Sequence, residues 1–315
     1  MADRLDERAA FLLKIESTYG TDPTPTGAAD ALYCYGLKVD PMENEEDKRS
    51  PVRPFFGQDS TVIGGTKSKV EFSIPIAGTG AAGTALPAAF AAAYRAAGHS
   101  QVNNPGVDTI YSLVSTAFES SAGYYYDDGV LHKVLGIRGS VSREFKHEAM
   151  PLLKFTGLGL YSAPTDTALP TLTFPATWQK PLIQNKVNTT FTLGAFAAVL
   201  ESLSIDDGTV YVWKDYVNSS ADVRVTDRPL VKGKVSVQAD TISAKDWFTI
   251  AKTGNPIVLA LVHGTTAGNK YKLDAANVLP KNPTRSIKDG IVFYDMDLEF
   301  YPSSAGNDEI VERVL

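Results

Sequence analysis

The stretch Ile291-Val-Phe-Tyr-Asp-Met-Asp-Leu-Glu-Phe-Tyr301 puts Val292, Tyr294, Met296, Leu298 and Phe300 on one side of an extended chain. Asp295, Asp297 and Glu299 fall on the other. Successive side chains of a strand point to opposite faces, so this period of two predicts a strand with one dry and one wet face. The same pattern recurs at Val70, Phe72, Ile74 and Ile76, interleaved with Lys69, Glu71, Ser73 and Pro75. Pro75 lacks an N–H, so that strand lies at an edge or ends there. Further strands are expected at 108–116, 137–145 and 152–161. Between 124 and 135, Asp127-Asp128-Gly129 sits between apolar flanks, the signature of a tight hairpin whose turn needs positive φ.

Two segments read as helices. Thr84 can cap a helix over 85–97, with Pro87 in its first turn, Gly98 as terminator, and Leu86, Phe90, Ala93 and Ala97 on one face. Ser243-Ala-Lys-Asp246 can open a second helix, carrying Trp247 and Ile250 and stopped by Gly254. Many strands with two short helices predict a mainly β (α+β) fold, an antiparallel sandwich or barrel flanked by helices.

The chain also repeats a pattern. Lys67-Ser-Lys-Val-Glu-Phe-Ser-Ile can be laid on Lys232-Gly-Lys-Val-Ser-Val-Gln-Ala, and 152–161 on 291–300. The two offsets, 165 and 139, leave about 26 extra residues in the first copy. The longer Ala-rich helix and the Tyr124 hairpin are the expected source of that excess. This predicts a tandem duplication, 1–165 and 166–315, joined by a Pro/Thr-rich linker at 162–181. The alternative is that the second half is an external decorating domain.

Composition narrows the chemistry. The 315 residues are 43% hydrophobic and carry a net charge of −6, which excludes wholesale disorder. Residues 1–165 contribute 15 basic and 19 acidic side chains and 166–315 contribute 15 and 17, so neither half looks like a duplex-DNA binder. No apolar run is long enough to cross a membrane as a helix. The acid-first start Met1-Ala-Asp-Arg-Leu-Asp-Glu is unlike a secretory signal. Cys34 is the sole cysteine, so no internal disulfide or thiolate zinc site can form, and a reducing compartment is expected. The histidines at 99, 132, 147 and 263 show no metal-ligand spacing. No cofactor or metal is expected.

Gly78-Thr-Gly80-Ala-Ala-Gly83, between a strand and a helix, matches the glycine pattern of dinucleotide sites. The preceding strand alternates instead of being apolar on both faces, and no acid lies between Gly83 and Asp108 to hold a ribose. A flexible loop is the better reading. The acidic run Glu43–Asp47 lacks the glycine and terminal glutamate of a calcium loop and reads as solvated loop. Cys34, between Tyr33 and Tyr35 in an expected strand over 31–39, reads as core filler. No nucleophile elbow or HExxH occurs. Nothing in the sequence marks an active site.

What remains is about 30 residues between that strand and Val70, containing Arg49-Ser-Pro51-Val-Arg53-Pro54-Phe55-Phe56-Gly57. A projecting segment with two adjacent aromatics wants a neighbour's surface, so Arg53, Phe55 and Phe56 are the candidate interface residues. Thr21-Asp-Pro23-Thr-Pro25-Thr reads as a second arm. The matched second-half loop, 216–229, is the weaker candidate.

Leu13-Lys-Ile-Glu-Ser-Thr-Tyr-Gly-Thr-Asp-Pro-Thr-Pro-Thr-Gly-Ala-Ala-Asp30 resembles the opening of tail tube (major tail) proteins of long-tailed, non-contractile bacteriophages. Arg53-Pro-Phe-Phe-Gly57, the loop 76–84, and Asp128-Gly129 followed by Gly136-Ile-Arg-Gly-Ser-Val141 fit the same family pattern in order. The resemblance covers residues 11–164. It implies a structural virion protein with no catalytic residues, a β-sandwich whose sheets join around a ring, and rings stacked into a channel for DNA. It also implies synthesis in the host cytoplasm and contact with other tail proteins.

On this reading DNA passes without specific binding, 43–63 makes an inter-ring contact, and Asp295, Asp297 and Glu299 face the lumen. An acidic lumen would repel phosphates. Three duplicated chains would supply the six units of a ring, giving a trimer with pseudo-sixfold symmetry; a hexamer is the alternative. Two other readings stay open. Tyr124–Tyr126 and Trp213 would suit a receptor- or carbohydrate-binding β-sandwich of the virion, and Gly78–Gly83 a nucleotide-dependent enzyme.

Overall fold

The computed structural model describes residues 4, 5 and 8–315; the acids at 3, 6 and 7 of the N-terminal stretch lie outside them. The first half holds β1 (Ala9–Ile15), β2 (Tyr35–Asp47), β3 (Val62–Pro75), α1 (Ala88–Ala96), β4 (His99–Asn104) and β5 (Asp108–Leu113). It continues through β6 (Ser121–Asp127), β7 (Val130–Lys146), β8 (Leu152–Tyr161) and β9 (Thr165–Asp166). The second half holds β10 (Thr189–Leu193), β11 (Leu200–Asp206), β12 (Val210–Lys214), β13 (Asp222–Asp227) and β14 (Val231–Gln238). After these come α2 (Trp247–Thr253), β15 (Ile257–His263), β16 (Tyr271–Lys288), β17 (Ile291–Phe300) and β18 (Val311–Val314). The fold is mainly β, with two short helices among the described residues.

The two halves run through the same pairings. In the first, β1 pairs β6, then β6–β7, β7–β8, β8–β3 and β3–β2 follow, all antiparallel. In the second, β10–β15, β15–β16, β16–β17, β17–β14 and β14–β11 repeat that order. A helix follows β3 in one and β14 in the other. The register repeats too. Lys67 lies opposite Leu160, and Lys232 opposite Glu299, which are the positions the two sequence offsets equate.

The long strands β7 and β16 join two layers. The first part of β7 pairs β6 and its last part pairs β8 and β11, so the strand passes from one layer into the other. Between the layers Phe11 of β1 meets Phe72 of β3 at 5.6 Å, and Phe72 stacks on Phe155 of β8 at 4.9 Å. One continuous apolar cluster runs from Phe11 to Val314 across both halves. Burial of alternate residues on strands of this kind is the main driving force for closing the layers.

Several local expectations change. α1 starts at Ala88 behind Pro87, with no side-chain cap from Thr84, and it is buried on nearly every side. The cap of α2 is Asp246, which accepts from the Thr249 amide at 2.9 Å, while Gly254 closes the helix at φ 69°. The extra length of the first half is the β4–β5 hairpin, not the Tyr124 hairpin, whose counterpart is β15–β16. The Thr21–Thr26 segment is no free arm. Asp30 binds the Thr26 amide, and Asp22 meets Tyr124 and Lys133. Nor is 162–181 a slack linker: β9 pairs β7, Thr173 binds Gly27, and Trp178 packs on Phe90.

Candidate assembly interface

The halves meet edge to edge. Ser142–Lys146 at the end of β7 pair antiparallel with Asp206–Ser202 of β11. The result is one sheet in the order β2-β3-β8-β7-β11-β14-β17-β16, in which four strands of the first half run straight into four of the second. At the far side β18 bridges β16 and β5, tying the C-terminal strand to the first half.

One face of this sheet is packed and the other polar. On β7 the buried Val141, Arg143 and Phe145 alternate with Ser140, Ser142 and Glu144. On β17 the buried Met296, Leu298 and Phe300 alternate with Asp295, Asp297 and Glu299, as the sequence reading expects. The acids are not a bare acidic strip, however. Lys234 lies opposite Asp297 and Lys232 opposite Glu299 on β14. Lys281 reaches Glu299 at 2.6 Å, and this hydrogen bond holds the carboxyl below its ordinary range. Asp295 accepts from Ser236 at 2.6 Å. The polar face is thus a ladder of mixed charge.

Residues 35–75 form a long hairpin arm instead of an irregular connection. β2 and β3 pair out to Asp47 opposite Val62, leaving only 48–61 as loop. The acidic run Glu43–Asp47 is therefore strand, with Glu45 on Lys67 at 2.5 Å, while Cys34 lies just outside β2. Burial pushes the Cys34 thiol up to about 12, so it is no thiolate nucleophile. At the tip Arg53 pairs with Asp59 at 2.6 Å and covers the Phe55 ring at 5.6 Å. Phe55 is 64% exposed and Phe56 fully so. In the second half the matching segment folds back as the β12–β13 hairpin. Val223 of that hairpin is buried and its N–H binds the Tyr19 hydroxyl, while the Tyr216–Val217 tip stays exposed. The free arm belongs to the first half.

Behind the junction lies a buried ionic cluster that no sequence spacing reveals. Arg143, fully buried, donates to Asp207 and Glu312 and to His99 Nε2 at 2.9 Å. Glu312 also accepts from Tyr94 and Tyr271. The cluster joins β7, the turn after β11, β4 and the C-terminal strand β18. No group of side chains suited to hold a metal occurs among the described residues.

The nucleotide reading fails on hydrogen bonds. The Gly78 amide donates to Asn269 Oδ1 at 2.7 Å, and the Thr79 and Gly80 amides both donate to the Gly268 carbonyl. Amides spent on a neighbouring loop cannot cradle a pyrophosphate. A Cβ on Gly78 would sit 2.4 Å from Asn269 Cα, so the glycine serves close packing of the two halves. The carbohydrate reading loses its platform, since Tyr124 and Tyr126 are buried in a small core cluster.

Residues 7–300 of this chain match the family described as phage tail tube protein. The chain belongs to that family. It is a structural tail tube protein of the phage virion, a subunit that self-assembles into the tube and associates with other tail proteins. No individual curated protein matches it. Among the described residues of this tube protein no helix is long and apolar enough to cross a membrane.

Proposed function

We propose that three chains close one ring of the tube with pseudo-sixfold symmetry, that rings stack head to tail, and that DNA passes through the channel so formed. The observation carrying this reading is the internal β7–β11 junction. Two units with the same strand order are already joined there as neighbours in one sheet. Three such chains supply six units. A second half outside the tube wall, with six chains in the ring, would not need its strands to continue the first half's sheet.

The polar face of the eight-stranded sheet is the surface assigned to the lumen, including Asp295, Asp297 and Glu299. Lysines and acids interleave there, so the face exerts little net pull on passing phosphates. The arm 43–63 is assigned to the inter-ring contact, with Phe55 and Phe56 as anchors and Arg53 held between Asp59 and Phe55. Stacking of this kind is a heterologous contact and extends without closing, as a tube requires. A structural role in the tube supports reading the chain as a non-enzyme, and synthesis in the host cytoplasm before assembly fits a chain with a single cysteine.

The test is electron microscopy of the purified protein at high concentration. Hollow tubes built from rings support the proposal. A protein that stays monomeric at every concentration, or forms solid fibres, overturns it.

A further inference from the structure

The eight-stranded sheet ends in two open edges, one on β2 and one on the last part of β16. β2 pairs only β3. Residues 279–288 of β16 pair β17 on one side and, among the described residues, no strand on the other. Open edges of this length template pairing with another chain.

The internal junction shows what each edge is shaped for. Counting through the repeated registers equates Glu144 with Lys288, because they lie opposite Leu152 and Ile291, which the offset of 139 equates. It equates Ser204 with Asp40, because they lie opposite Lys234 and Lys69, equated by the offset of 165. Within the chain, Glu144 lies directly opposite Ser204.

We infer that β16 of one chain pairs antiparallel with β2 of the next in this same register, placing Lys288 opposite Asp40 of the neighbouring chain. The inference rests on the ring reading above and adds which edges meet and in what alignment.

Two independent observations favour a second copy of this chain as the occupant. The first is burial. Arg143 is 0% exposed inside the junction, whereas its counterpart Ile287 is 58% exposed. Leu203 and Ile205 are 0% exposed, whereas their counterparts Val39 and Pro41 on β2 are only half-buried. Positions that are dry at the internal junction stand wet at the free edges. The second is charge. The β16 edge offers Lys281, Arg285 and Lys288 and no acid, and the β2 edge offers Asp40 and the run Glu43–Asp47 with Lys38 alone opposing. Opposite charges facing across strands favour this pairing, and they disfavour β2 with β2 or β16 with β16.

The experiment is cysteine cross-linking of assembled full-length rings. In a Cys34→Ser background, Asp40→Cys and Lys288→Cys are combined, and the rings are oxidised and run on a denaturing gel. Directly opposed residues of an antiparallel pair lie within disulfide range. The expected result is a ladder of covalent dimer and trimer that stops at three. Asp40→Cys with Val102→Cys, on the other open edge at β4, is expected to give monomer only.

Rings that form but do not cross-link at 40 and 288, or that cross-link at 40 and 102, overturn the edge assignment and leave the ring reading standing. A ladder reaching six supports the edge pairing and overturns the three-chain count. An unsubstituted chain that forms no rings overturns both. Amide exchange on the unsubstituted chain provides a check free of cysteines. Assembly should slow exchange among the amides of 38–42 and 286–290 and leave 99–104 unchanged, and unchanged exchange at 286–290 in intact rings contradicts the inference.

Discussion

Arg143 shows how far a single residue can lie beyond the reach of sequence pattern. Its partners Asp207 and Glu312 are 64 and 169 positions away, so no spacing rule brings them together. Removing it strands two carboxylates in the core, and breaking a buried pair in this way costs about 3–5 kcal/mol. Arg143→Met should therefore lower the free energy of unfolding extrapolated from urea titration by an amount in that range; a loss below about 1 kcal/mol would show that the cluster is readily repacked. His99 belongs to the same cluster. Accepting from Arg143 keeps its imidazole neutral, and burial, reinforced by the Arg143 charge, depresses its titration to about 3. An unfolded histidine takes its proton near 6.5, so below that pH the unfolded chain binds more protons. The contribution is complete above about pH 6.5 and is lost as pH falls toward 3. Between pH 6.5 and 5 this loss is about 1.5 kcal/mol. Asp207, which burial pushes upward, acts in the opposite sense as pH falls. His132 and His263 shift in the same direction as His99, so the readout is a difference. His99→Gln should flatten the acid slope of chemical unfolding by that amount, and equal slopes for variant and parent would contradict the assignment.

Elements were legible where the period of two ran unbroken and the turn chemistry was local. Asp128-Gly129 makes the tight β6–β7 hairpin at φ 36° and 99°, and Asp289-Gly290 does the same before β17 at 50° and 79°. The second dipeptide carries the signal that would place a strand directly ahead of Ile291. The arm was not legible as strand, because Glu43–Asp47 bears no apolar alternation. Among the described residues its strand partner is β3, and the run stays largely exposed on both faces, so nothing enforces the pattern. Proline and bulge coincide on both open edges: Pro41 lies in the β2 irregularity between Asp40 and Glu43, and Pro283 in that of β16 between Lys281 and Thr284. Such features keep a lone edge from pairing indiscriminately. The arm's aromatics sit outside the core, so Phe55→Ser with Phe56→Ser should leave thermal unfolding within about 0.5 kcal/mol of the parent. The same variant should yield single rings that do not stack. Loss of the rings themselves would move these side chains to the lateral junction.

At the scale of the molecule, the repeat in sequence and the repeat in pairing coincide to the residue, through Lys67–Leu160 and Lys232–Glu299. Contacts between loops of the two halves were not legible, because the segments they join carry no periodicity. The Gly78–Gly80 loop on 268–269, for instance, is a matter of shape alone. Gly78→Val should consequently disturb the packing of the two halves together and lower the melting temperature by several degrees, whereas Gly64→Ala, whose Cβ would meet its nearest neighbour at 3.4 Å, should cost less. The central claim is that one chain supplies two neighbouring units of the ring. A helical reconstruction of the assembled tube counts chains per layer directly. Three chains of 33.9 kDa in each layer, with the second half's sheet continuous with the first in the tube wall, is the predicted result. Six chains per layer with residues 166–315 outside the wall would contradict it.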